Sequence, residues 1–139
     1  RKFKLYFADT VLLVASLDED PSDIFVSKKF GVYKGALFEN LVAYALVKQG
    51  VDIYNFKKDI STLDEDFFVR TKDELIPVEV KSGNNKSKSL TTLIKSDYYP
   101  MSKQGIKFGN CNIGKSNDII SFPYFVCCML KRFLKTLDS

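Results

Sequence analysis

Two β-prone runs, Asp64–Arg70 and Leu75–Lys81, flank the short polar break Thr71-Lys72-Asp73-Glu74. No other stretch constrains the chain as tightly, because a tight hairpin fixes which side chain faces which. With Lys72 and Asp73 as a two-residue loop, Phe67 faces Val78 and Val69 faces Ile76. These residues and Val80 form one apolar face that packs inward. On the other face Phe68 meets Pro77, Asp66 meets Glu79 and Asp64 meets Lys81. That face therefore gathers Asp64, Asp66, Glu79 and Lys81 at one end.

Directly opposed carboxylates on antiparallel strands repel at a Cβ separation of about 5 Å. A divalent cation removes that repulsion, and Mg²⁺ is commonly held by one or two carboxylates with water completing its shell. Lys81 emerges on the same side as Glu79, where it could orient or deprotonate a water held by the ion. A solvent-facing hairpin with scattered charges is the plainer alternative, and the residues alone leave both open.

Asp66 followed by Glu79-Val80-Lys81 on the next strand resembles the PD-(D/E)XK nuclease-like superfamily. The further blocks Lys4–Asp9, Gly35–Asn40, Asp64–Phe67 and Ile76–Gly83 look like the C-terminal domain of unknown function of a bacterial and archaeal family of AAA-type ATPases. The resemblance runs from Lys4 to about Tyr124. It implies a restriction-endonuclease-like α/β fold, a mixed sheet flanked by helices on both sides. It also implies a Mg²⁺ (or Mn²⁺) site made by Asp66, Glu79 and the Val80 carbonyl, with Lys81 and Glu39 completing the catalytic set. An ATPase module of the same parent chain would be the partner, and DNA or RNA the substrate. Departures are visible too. Glu65 rather than proline precedes Asp66, Asp64 stands where the family more often has Glu, and no Q-x-x-x-Y motif follows Lys81.

Composition supports a folded chain with a core rather than a disordered one, since 45% of the 139 residues are hydrophobic and 14% aromatic. We expect a single nuclease-like domain over 1–139, cut from a longer ATPase because the first residue is Arg1. Histidine is absent and the three cysteines lack C-x-x-C spacing, which excludes His-based triads and argues against a disulfide framework or a zinc site. Proton transfer is left to carboxylates, Lys, Tyr or metal-held water. No apolar run reaches membrane-span length, no signal peptide opens the chain, and a reducing cytoplasm is the expected home.

The net charge of +4 is unevenly spread: residues 81–115 hold seven lysines and one acid, for a net +6, against −2 for the remainder. A polyanion across the acidic cluster would suit that segment, with Lys86, Lys88 and Lys95 as nucleic-acid contacts. Solvated lysine loops account for it equally well.

Along the chain we expect a short strand over Lys2–Phe7, then a helix over Val11–Leu17 capped by Asp9. A further short helix is expected at Ile24–Val26, then a connection without clear period over 27–33. The strongest helix spans Lys34–Gln49 and is stopped by Gly50. Glu39 is its odd residue, a carboxylate among Gly35, Ala36, Val42 and Ala43. It either reaches past the alanines to water or turns into the acidic site, as the resemblance favours. Strands are expected at Val51–Phe56, Glu65–Arg70, Leu75–Lys81, Gln104–Phe108 and Asp118–Phe122, making a four- or five-stranded sheet. Lys57–Leu63 is read as a loop and Ser82–Asn85 as a turn. Ser87–Lys95 would be a helix. Pro123 would open a closing amphipathic helix burying Phe125, Val126, Met129, Leu130, Phe133 and Leu134, with Cys127 and Cys128 as packing residues.

Gly109–Ser116 satisfies the P-loop pattern G-x-x-x-x-G-K-[ST]. A P-loop must open a helix whose N-terminus holds phosphate. Here Asn117–Pro123 reads as a turn and a strand, so a plain loop between strands is expected.

Overall fold

A computed structural model describes residues 4–16, 30–55, 65–83 and 87–138. The hairpin takes the expected register. β2 (Phe67–Arg70) pairs antiparallel with β3 (Leu75–Val80), matching Phe67 to Val78, Phe68 to Pro77, Val69 to Ile76 and Arg70 to Leu75. Its loop closes where Thr71 N donates to the Glu74 carbonyl at 3.0 Å. Asp138, at the far end of the chain, accepts from Lys72 N at 2.8 Å and ties the loop down.

β1 (Ile53–Tyr54) flanks β2, and β4 (Gly105–Gly109) lies parallel to β3. β5 (Gly114–Ser116) and β6 (Ile119–Pro123) complete a mixed sheet of order β1-β2-β3-β4-β6-β5 among the described residues. The sheet thus has six strands, not four or five. The added strand is β5, inside the stretch expected to be a loop. It forms because Asn117 and Asp118 both take positive φ, 50° and 61°, the geometry of a tight hairpin turn whose twist matches that of strands. Each residue type tolerates the left-handed region, so Ser116 is brought opposite Ile119.

Helices cover both faces. α1 (Thr10–Ala15) is capped by Asp9, whose Oδ1 accepts from Val11 N at 2.7 Å. α2 (Phe30–Lys48) begins earlier than Lys34, taking in residues expected to be connection. Gly50 ends it with φ 69°, where Val51 N bonds the Leu46 carbonyl and Gly50 N the Val47 carbonyl, a left-handed cap that a side chain would strain. Val42, Ala43 and Leu46 of α2 are fully buried against Phe67, Val69, Ile76, Val78, Ile106 and Phe108. α3 (Lys88–Ile94) covers the opposite face through Leu90 and Leu93. No strand occurs over residues 4–7. The helix expected at Ile24–Val26, the whole Lys57–Leu63 loop and Asp64 lie outside the described residues.

The closing helix is two pieces, a 3-10 helix Tyr124–Met129 and α4 (Leu130–Leu137). Three residues per turn rather than 3.6 shifts the phase. Phe125 and Met129 are consequently 71% and 53% exposed, while Val126, Cys127, Leu130 and Leu134 are buried. Cys127 is a packing residue, its thiol pushed up to about 12 by burial. Cys128 is exposed. Among the described residues no helix is long and apolar enough to cross a membrane.

Gly105 is required where α3 crosses β4. A Cβ there would lie 2.7 Å from Leu90 Cδ1, 3.0 Å from Leu90 Cγ and 2.9 Å from Ile94 Cδ1, so the fully buried Leu90 would have to shift. Gly105→Ala is therefore expected to destabilise by roughly 1–3 kcal/mol, the usual range for overpacking, read by urea denaturation. An unchanged midpoint would mean that α3 is loosely held.

A candidate acid site at the end of the central strands

The acids meet where β2 begins and β3 ends. Val80 N–H points toward β2, but Asp66 stands one residue before the paired stretch. Its Oδ2 takes the place of a ladder carbonyl, accepting from Val80 N at 2.6 Å. The Asp66 carboxylate thus caps the end of the ladder, outside the regular cross-strand pairing, and both it and Glu79 act on Lys81. Glu79 is only 2% exposed. Its Oε1 receives Lys81 Nζ at 2.7 Å, and its Oε2 is buried without a hydrogen-bond partner. The parallel register puts Lys107 of β4 next to Glu79.

Burial works against the charge on Lys81. The hydrogen bond and charge of Glu79, with Asp66 and Glu65 behind it, outweigh that and hold the ammonium above its ordinary pKa. Lys81 is accordingly a standing donor, suited to orienting a water or phosphate oxygen and ill suited to removing a proton. Its carbonyl accepts from the Tyr124 hydroxyl, and Tyr124 stacks on Phe38 of α2 at 4.0 Å, which anchors the end of β3 to the helix layer.

Glu39 reaches the site through an N-terminal strap. Asn40, 3% exposed, accepts from Phe7 N at 2.8 Å and donates to the Phe7 carbonyl at 3.3 Å, standing in for a strand partner. That holds Lys4 and Tyr6 over the acids. Lys4 Nζ lies 3.1 Å from Glu39 Oε1 and 3.9 Å from Asp66 Oδ1, and it donates to the Asp66 carbonyl at 3.0 Å. Tyr6 donates to Glu39 Oε1 at 2.9 Å. Burial and the Glu39 charge raise the Tyr6 pKa, so its hydroxyl remains a donor. Burial also lifts Asp66 to about 6, opposed by the Val80 hydrogen bond, with Glu39 raising it and Lys4 lowering it.

The structure thus brings together Asp66, Glu79, Val80, Lys81 and Glu39. Lys88 and Lys95 are exposed at the two ends of α3; Lys86 and Asp64 lie outside the described residues. Three participants escaped the sequence reading. Lys4 and Tyr6 arrive through the Asn40 contact, which leaves no periodic trace. Glu65, 5% exposed, adds a third acid that acts on Lys81, and its place between Asp64 and Asp66 gives no sign that it is buried.

Among the described residues no group of three or more His, Cys, Asp and Glu side chains is placed to hold a metal ion. The donors present are nonetheless hard oxygens: the Asp66 carboxylate, the unpartnered Glu79 Oε2 and the Val80 carbonyl, on the same strand edge as its N–H. Oxygens of this kind are the donor type that Mg²⁺ and Mn²⁺ take.

Lys115 has no phosphate-binding frame. Gly114, Lys115 and Ser116 form an exposed edge strand, and no helix opens there. The chain is expected not to bind ATP through this stretch. Calorimetric ATP binding that disappears in Lys115→Ala would overturn that.

A family model described as a domain of unknown function, DUF4143, matches residues 34–125, a span that includes Glu39, Asp66, Glu79 and Lys81. No curated protein and no solved structure matches the chain.

Proposed function

The chain belongs to the DUF4143 family, whose description assigns no activity, and from the site itself we propose that this domain is a nuclease-like centre for metal-dependent phosphodiester hydrolysis. One observation carries the reading: a carboxylate oxygen, Glu79 Oε2, is buried without a partner beside a second acid and a charged lysine. Lys81 compensates the charge through Oε1, but a buried acceptor left without a partner costs about 1–3 kcal/mol, and a cation ligand would account for its retention. The sheet with helices on both faces is read as a restriction-endonuclease-like plan, in keeping with the sequence resemblance.

Asp66, Glu79 and the Val80 carbonyl would hold Mg²⁺ or Mn²⁺. When bound, the ion supplies Lewis acidity and lowers the pKa of water. Glu79 keeps Lys81 charged and aimed. Lys81 orients the attacking water or a phosphate oxygen and stabilises negative charge there. Glu39, on α2, is a positioning residue that holds Lys4 and Tyr6 beside Asp66. An attached AAA-type ATPase module would deliver the nucleic acid.

A second reading, a non-catalytic module recognising nucleic acid or protein for that ATPase, is favoured by Lys4. Its ammonium already compensates Glu39 and Asp66. The two separate in one assay: incubation of the chain, and of its full-length parent, with DNA and RNA in Mg²⁺ or Mn²⁺. Cleavage lost in Lys81→Ala, with cation binding retained, supports hydrolysis. No cleavage by the parent together with no cation-dependent stabilisation leaves the binding module.

A further inference from the structure

Beyond the acids, the same sheet face carries a groove of about 500 Å³ lined by Tyr54, Phe68, Arg70, Leu75, Tyr99 and Met101. Resting on the hydrolytic reading above, we propose that this groove is a nucleobase pocket, and that the ligand of the site is single-stranded nucleic acid with a base splayed into it.

The register fixes the floor. Tyr54 of β1 stands directly across from Phe68 of β2, and Phe68 across from Pro77 of β3. Alternation along the strands puts Phe68, Arg70, Leu75 and Glu79 on one face. The opposite wall is the segment after α3, and it is clamped. Leu75 N donates to the Met101 carbonyl at 3.0 Å, and Ser102 Oγ donates to the Leu75 carbonyl at 2.7 Å. The groove is therefore formed in advance of any ligand. Its rim exposes apolar surface that the core does not use, with Tyr54 42% and Met101 53% exposed.

The chemistry of the lining selects a flat, electron-rich guest. Over a floor closed by the buried Phe68, two tyrosines and a planar guanidinium offer stacking surfaces, the sequence-tolerant contact by which proteins hold unpaired bases. Lys95 and Lys103 flank the wall segment and are exposed, a charge complement for the connecting phosphates. Spacing agrees as well. Phe68 is two residues from Asp66 and Leu75 four from Glu79, about 7–13 Å at strand rise. That equals about two to four stacked nucleotides of one strand. A base paired inside a duplex cannot present its face to such a groove without first unpairing.

The test is fluorescence anisotropy of a labelled oligothymidylate and of the same strand in duplex, with the chain in Ca²⁺. The single strand is expected to bind more tightly. Tyr54→Ala should weaken it about tenfold, Tyr54→Phe should restore it, and Arg70→Gln should weaken it in the same direction. Equal affinity for single strand and duplex, or a Tyr54→Ala variant that binds as the parent does, overturns the pocket. So does failure of the oligothymidylate to bind at all, which would leave the groove to a peptide. If these binding results hold but no nucleic acid is cleaved in Mn²⁺, the hydrolytic reading fails alone. If duplex is cleaved equally by the parent chain and Tyr54→Ala, the pocket fails alone.

Discussion

Glu79→Gln is expected to abolish both cleavage and the response to divalent cations while leaving the cation-free fold within about 1 kcal/mol of its stability. Two opposing effects set that balance. Removing one member of a buried ion pair commonly costs several kcal/mol because the other charge is stranded. Here the partner, Lys81, has a side chain 35% exposed and can turn to water. On the favourable side, the change removes a desolvated charge whose Oε2 has no partner. In the parent chain, Mg²⁺ at 100 times its Kd should add about 2.7 kcal/mol by mass action, a rise of several degrees in Tm. In Glu79→Gln that rise should vanish. Thermal melts with and without Mg²⁺ read both quantities. A variant that still gains the full Tm increment would show that the ion sits elsewhere, and cleavage surviving the change would mean a different site.

The hairpin was legible because its information is local. A two-residue break between β-prone runs leaves one register that buries Phe67, Val69, Ile76, Val78 and Val80 together, so Asp66 and Glu79 had to arrive at the same end of the hairpin. Glu39 was legible as a misfit on an otherwise apolar helix face. What could not be read comes from contacts between distant stretches. Lys4 and Tyr6 reach Asp66 only because Asn40 binds the backbone of Phe7, and no spacing in the sequence encodes that pairing. β5 was hidden because its stability lies in the two left-handed turn residues Asn117 and Asp118 rather than in its own exposed residues. The groove was hidden because its wall, Tyr99–Ser102, takes its position from Leu75. At the C-terminal end apolar periodicity misled, since a 3-10 turn at Tyr124–Met129 rotates Phe125 and Met129 outward.

Asp66→Asn should stabilise the cation-free chain at neutral pH, and the gain should disappear on acidification. Asp66 titrates at about 6 rather than 3.8, chiefly through burial. Between those values the folded chain holds a proton that the unfolded chain has lost. Stability contributed by this group therefore falls as pH rises from about 4 to 6, and the penalty is complete above 6. The displacement corresponds to at most ~3 kcal/mol. The remaining exposure of the side chain, 23%, and its sharing of Lys4 with Glu39 reduce what a melt will show to on the order of 1–2 kcal/mol. Asn suits the comparison because its carbonyl oxygen can still accept from Val80 N–H, so the strand end is kept while the charge is removed. Urea denaturation of both chains from pH 4.5 to 7.5, without cation, gives two curves that should diverge as pH rises, with the variant above. Mg²⁺ should then close the gap at neutral pH from the parent's side, because only the parent retains the carboxylate proposed to take the ion. Parallel curves across that range would show that Asp66 carries no desolvation penalty and would remove the physical reason for a cation there.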